Sequence, residues 1–183
     1  QLVEAAGFLD QALDAFRAAG DRRNEAMMLN NYGYLLRMQG NLDEAEGYHL
    51  ESLAIRQEIR DRVGVGRNYS MLSGLYTAQG DYELARGAAT DALAIASETR
   101  DRLFEGTSLA QLANAERRLG LTGEARQHYI ESRDVLLSIQ DTMRVIQVEL
   151  KLAQMELDDG HPAETARIAS QSLERAREHE YIQ

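Results

Sequence analysis

The chain has 183 residues and a single Pro, with 20 Lys and Arg set against 30 Asp and Glu for a net charge of −10. That length suits one ordinary domain, and the acid surplus argues against nucleic acid, whose phosphates call for clustered Lys and Arg. Cys is absent, which removes disulfides, thiolate metal sites and thiol nucleophiles together. No apolar run approaches the roughly 20 residues a membrane-spanning helix needs, and no basic-then-apolar leader opens the chain.

An internal repeat organises the rest. Asp21, Asp61, Asp101 and Asp141 recur every 40 residues, and Gly40, Gly80, Gly120 and Gly160 keep the same interval half a period out of step. Residues 1–20 align with the second half of a repeat, with Ala5, Ala12, Leu13 and Phe16 where Ala45, Ser52, Leu53 and Arg56 later sit. This predicts one extra helix whose apolar side (Leu2, Phe8, Leu9, Leu13 and Phe16) has no mate. Either the chain is excised from a longer protein, or the stripe forms a homodimer contact, because bare apolar surface invites association.

Full repeats follow at 21–60, 61–100, 101–140 and 141–180, each read as two helices. In the first, the spacing predicts a helix over Asn24 to Met38, opened by an Asp that caps free N–H groups. It closes near a Gly suited to a left-handed C-terminus. The second helix, Leu42 to Glu58, carries Ala45, Tyr48, Ser52 and Ile55 at spacings of three and four. Small residues recur at Gly33, Ser73, Ala113 and Ala153, and again at Ala45, Ala85 and Ala125, so paired axes can approach closely. No stretch reads as strand. Glu174, Arg175, Arg177, Glu178, His179 and Glu180 make the last helix polar, as a terminal cap of a repeat array should be.

These positions resemble the tetratricopeptide repeats. The pattern reads Leu29, Tyr32, Gly33, Leu36, Ala45, His49 and Ser52 in the first repeat. In the second it is Tyr69, Leu72, Ser73, Tyr76, Ala85, Ala89 and Ala92, and in the third Leu109, Leu112, Ala113, Glu116, Ala125, Tyr129 and Ser132. The fourth is weaker: Glu149, Leu152, Ala153, Glu156, Thr165, Ala169 and Ser172. The 40-residue period exceeds the common 34 of the family. Leu29 to Ile59 looks like the long repeats of kinesin light chains, bacterial regulators and spindle-orientation scaffolds. The resemblance implies an all-α, right-handed solenoid of antiparallel helix pairs forming one domain over 1–183.

In such arrays the first helices of successive repeats line a concave groove. The resemblance therefore implies a peptide-binding face built from Asn30, Asn31, Tyr34 and Arg37, then Arg67 and Ser70, then Asn114 and Arg117, and finally Gln147 and Gln154. Asn side chains can both donate to and accept from a peptide backbone, and Arg can grip a carboxylate through two parallel bonds. The competing reading is an ordinary solvated helix face. With Lys151 the only lysine, the carboxylate clamp of co-chaperone repeats is not present.

Other candidates are weaker. Gly64 and Gly66 begin a helix with no strand before them, so a nucleotide loop is not expected, and helix crossing explains them better. Gly7, Gly47 and Gly87 recur mid-helix at a cost of ~1 kcal/mol each against Ala, with close packing the one reason offered. His49, His128, His161 and His179 have no metal spacing, and His49 falls on a packing position. Glu116 and Glu156 replace the family's aromatic residue and are either solvated or part of the groove.

The expectation is therefore a non-catalytic, cofactor-free scaffold in the cytoplasm. Its partner would be a protein or peptide with an acidic group, not nucleic acid or membrane. The alternative is a sensory module of a larger bacterial regulator, either a transcription regulator or an NTPase, that binds a signal peptide or small ligand. Arg outnumbers Lys 19 to 1, a composition that fits a GC-rich bacterial genome.

Overall fold

The computed structural model describes the backbone of residues 2–182 and the side chains of 7–178. The described residues form nine α-helices: α1 (Leu2–Ala19), α2 (Arg22–Gln39), α3 (Leu42–Glu58), α4 (Arg62–Gln79), α5 (Tyr82–Thr99), α6 (Arg102–Arg118), α7 (Thr122–Ser138), α8 (Thr142–Asp158) and α9 (Pro162–Ile182). No strand occurs among them.

Capping fixes where α2, α4, α6 and α8, the first helices of the four repeats, begin. Asp21, Asp61, Asp101 and Asp141 each precede a helix and accept a backbone N–H three residues on, at 3.0–3.1 Å. That bond satisfies one of the donors every helix N-terminus leaves open. The turns are more regular than the sequence shows. A left-handed residue stands at every twentieth position: Gly20, Arg60, Arg100 and Gln140 alternate with Gly40, Gly80, Gly120 and Gly160. In each turn the following amide bonds back to a carbonyl five residues earlier, as Asp61 does to Arg56 at 2.8 Å and His161 to Glu156 at 2.8 Å. This is the closing bond of the Schellman motif.

The helices divide into two compact units, the first running to Ile95 and the second starting at Ala96. In the first, α1 packs on α2, α2 on α3 and α3 on α4. Leu13, Ala26, Leu29 and Ile55 make one cluster. Leu36, Leu53, Val65, Leu72, Leu75, Ala88 and Ile95 make another, flanked by the stacked rings of Tyr32 and Tyr48 at 4.6 Å. In the second unit, α6 packs on α7, α7 on α8 and α8 on α9, around Tyr129, Leu136, Val145, Leu152, Met155 and Ile168.

Gly33 makes a close helix contact as expected, and Gly106, which the repeat pattern did not single out, makes a second. A Cβ on Gly33 would lie 3.0 Å from the Ala45 carbonyl oxygen and 2.9 Å from the His49 ring. One on Gly106 would lie 2.8 Å from Leu136 Cγ. Ser132 Oγ also donates to the Gly106 carbonyl at 2.7 Å, the same relation Ser52 has to Ala26 at 2.6 Å.

Four expectations need correction. Gly7, Gly47 and Gly87 are not sites of close packing, since an added Cβ would meet nothing within 4 Å. Gly64 makes room for side chains, the Arg56 guanidinium and the Asp61 carboxylate, rather than for a crossing helix. The apolar side of α1 is not left wholly bare: Leu13 is buried against α2, Leu9 and Phe16 are half-buried, and Phe8 is 72% exposed. Leu2 and Ala5 lie outside the described side chains, as do His179 and Glu180. Glu116 and Glu156 are buried, not solvated. Glu116 pairs with His128 at 2.7 Å, and Glu156 with Arg126 and, at 3.0 Å, His161.

Candidate functional site

In the first unit, α2 carries half-buried Asn30, exposed Asn31, exposed Tyr34 and half-buried Arg37. The Arg37 guanidinium stands 5.3 Å from the centre of the Tyr34 ring, a cation–π distance that holds both side chains in one arrangement. On α4, Arg67 is exposed and Ser70 half-buried.

Asn30 is not a freely solvated amide. Its Oδ1 accepts from His49 Nδ1 at 2.7 Å and from Asn68 Nδ2 at 3.2 Å. Asn68 also donates to the His49 carbonyl at 2.9 Å, and its Oδ1 lies 3.1 Å from Ser52 Oγ. The acceptor side of Asn30 is thus consumed inside the protein, while its Nδ2 makes no bond to any described residue. A side chain fixed this way offers a ligand carbonyl a donor at little entropic cost.

Burial sets the state of His49. The ring is fully buried, and desolvation, with the nearby Arg37 charge second, pushes its pKa down to about 4. It is therefore neutral at physiological pH, with Nδ1 as the donor and Nε2 buried without a partner.

In the second unit, Asn114 is committed on both sides. It accepts from the Tyr129 hydroxyl at 2.7 Å and donates to the Ala110 carbonyl at 2.8 Å. Burial raises the Tyr129 pKa, with the Arg117 charge acting against that rise. Asn114 and Gln147 line a cavity of about 230 Å³ together with Thr107, Ala110, Tyr129 and Lys151. Arg117 and Gln154 instead converge on Asp158, at 3.7 and 2.7 Å. The exposed side of α8 is apolar at every seventh residue, with Met143 55%, Leu150 53% and Leu157 52% exposed.

Of the ten residues expected at the site, Asn30, Asn31, Tyr34 and Arg37 share one face of α2, and Asn114 and Gln147 share one cavity. Sequence reasoning missed the role of Asn68. The available signal was a buried-register amide between Val65 and Leu72 on an otherwise apolar stripe. Among the described residues no group of three or more His, Asp or Glu could hold a metal, and no helix is long and apolar enough to cross a membrane.

The helix pairs and their period define a helical repeat protein. The sequence profile of the tetratricopeptide repeat matches residues 1–58, 24–98 and 65–138, and the chain belongs to that family. The family's fold is that of a protein-interaction scaffold and is generally non-catalytic.

No curated protein sequence matches. Solved structures are similar at low identity. BtubC (BKLC) from P. vanneervenii shares 18% identity over 97% of this chain and 74% of its own, with a TM-score of 0.86. Aspartyl phosphate phosphatase F from Bacillus subtilis shares 13% over 97% of this chain and 46% of its own, with a TM-score of 0.88. The nearly identical TPR-like repeats of a Podosopora anserina protein described as a kinesin light chain share 16% over 99% and 89%, with a TM-score of 0.79. This chain spans about half the length of the phosphatase.

Proposed function

We propose that the chain is a non-catalytic module that binds an extended or helical peptide segment of a partner protein on the first-helix faces of the first unit, with α2 supplying the main contacts and α4 the rest. The observation that carries this reading is the fixed Asn30 amide, its oxygen held by His49 and Asn68 and its Nδ2 unengaged, beside the Tyr34–Arg37 pair. The amide donates to a backbone carbonyl. Arg37 and Arg67 favour an acidic residue in the peptide.

Asn30 also supports the fold, so the clean test leaves it in place. Peptides selected on the protein from a random display library are measured against a Tyr34→Ala, Arg37→Ala double variant of unchanged thermal midpoint. The expected result is at least about tenfold weaker binding, from the loss of one charge-assisted bond. Unchanged affinity for every selected peptide would sink the assignment of this face.

A second reading, favoured by the likeness to aspartyl phosphate phosphatase F, makes the same peptide site the input of a larger regulator. In that case peptide binding changes the activity of an attached domain.

A further inference from the structure

The turn between α3 and α4 opens a cavity of about 290 Å³ lined by Arg56, Gln57, Arg60, Arg62, Val65 and Tyr69. Three of six lining side chains are guanidinium groups, a fourth is an amide and a fifth a phenol. No Asp or Glu is among them, in a chain whose net charge is −10. The lining is thus rich in donors and poor in negative charge.

Arg56 is the centre of it. Its side chain is only 9% exposed, and Nη1 reaches Asp61 Oδ2 at 3.2 Å. Nε lies 3.4 Å from Ser52 Oγ. Asp61 is a divided counter-charge for Arg56, because its carboxylate also caps the Gly64 amide and has Arg23 4.0 Å away. Burial lowers the Arg56 pKa, and the charges of Arg67 and Arg23 push it further down, against the pull of Asp61. Arg60, exposed on the rim, makes no ion pair with a described residue. Glu58, two residues before Arg60 in the chain, pairs with Arg22 at 2.7 Å. A buried guanidinium with incomplete compensation is costly, and a bound anion would supply the missing charge.

We infer that the cavity between Arg56 and Arg60 is a binding site for a phosphate-type oxyanion, either free phosphate or the phosphoryl group of a larger ligand. A tetrahedral dianion has enough acceptor oxygens to meet several guanidinium groups and the Tyr69 hydroxyl at once, which one carboxylate does not. This site does not depend on the peptide reading of the α2 face.

The test follows the Arg Nε–H resonances of the full chain during titration with sodium phosphate, with ionic strength held constant by sodium chloride. Saturable movement of the Arg56 and Arg60 signals is expected, weakened about tenfold in Arg60→Ala through loss of one charge-assisted contact. Arg60→Gln, a milder change at an exposed turn position, should weaken it in the same direction. Phenyl phosphate binding more tightly than inorganic phosphate would identify a phosphorylated ligand as the source, and equal binding would identify free phosphate. A linear drift matching sodium chloride, unchanged affinity in both Arg60 variants, or acetate binding as well as phosphate would each overturn the assignment.

Discussion

His49 donates to Asn30: Nδ1 lies 2.7 Å from Oδ1, so a buried imidazole on α3 fixes an amide on the face of α2. The bond specifies the tautomer and leaves Nε2 as the atom any added proton must occupy. That atom is buried and has no acceptor nearby to share the charge.

Stability should therefore depend on pH through this ring. The folded-state pKa is about 4 against 6.5 for an exposed imidazole. As pH falls below 6.5 the unfolded chain takes up the proton first, so stability is lost between about pH 6.5 and 4 and is fully present above that window. The loss attributable to His49 is at most about 3 kcal/mol. Urea unfolding of the wild type and His49→Gln at pH 7, 5.5 and 4.5 checks it. The variant should start less stable and show a shallower fall.

Glycine substitutions should split in sign. Gly47→Ala and Gly87→Ala place a methyl where nothing lies within 4 Å, and each should stabilise by about 1 kcal/mol from helix propensity. Gly33→Ala forces a methyl against the His49 ring and the Ala45 carbonyl, and should destabilise by about 1–3 kcal/mol. Thermal midpoints of the three single variants decide the matter.

The non-glycine turns carry a relievable cost. Gln140 sits at φ 60°, where an L-residue is disfavoured by roughly 1–2 kcal/mol. Part of the gain from Gly is returned through the freer unfolded chain. Gln140→Gly should stabilise by about 0.5–1 kcal/mol, read from denaturant midpoints at unchanged m-value.

The buried acid Glu156 gives an asymmetric pair of variants. Arg126→Ala strips it of its guanidinium partner and leaves a carboxylate that is 8% exposed, an outcome expected to cost about 2–4 kcal/mol. Glu156→Leu removes the buried charge itself, and Arg126 keeps Asp159 at 2.6 Å, so it should be the milder change. Equal losses in the two would contradict this ordering.

The fold was largely legible because its signals are local. The four capping Asp residues and the Gly40-type turns each act within one helix end, and each appears in the structure where the period put it. The other set of turns was half hidden. Only Gly20 advertised a left-handed residue there, while Arg60, Arg100 and Gln140 adopt it by the closing bond of the turn rather than by their own preference. The candidate site was less readable, since face membership follows from spacing but hydrogen bonding does not. Spacing placed Asn30, Tyr34 and Arg37 on one side of α2. It gave no notice that Asn68 would reach from α4 to hold Asn30, or that Arg117 and Gln154 would turn to Asp158. Spacing could not show that Glu116 and Glu156 are buried, because their partners, His128 and Arg126, both come from another helix, α7.

The left-handed residue at every twentieth position has a consequence for how the chain is made. Each turn is closed by a bond spanning only five residues, so it needs no distant segment to hold its shape. A ribosome releasing this protein delivers one finished corner for each helix it exposes, and α2, α3, α4, α7, α8 and α9 each find the helix they pack on already made. Synthesis and folding can therefore advance at the same pace.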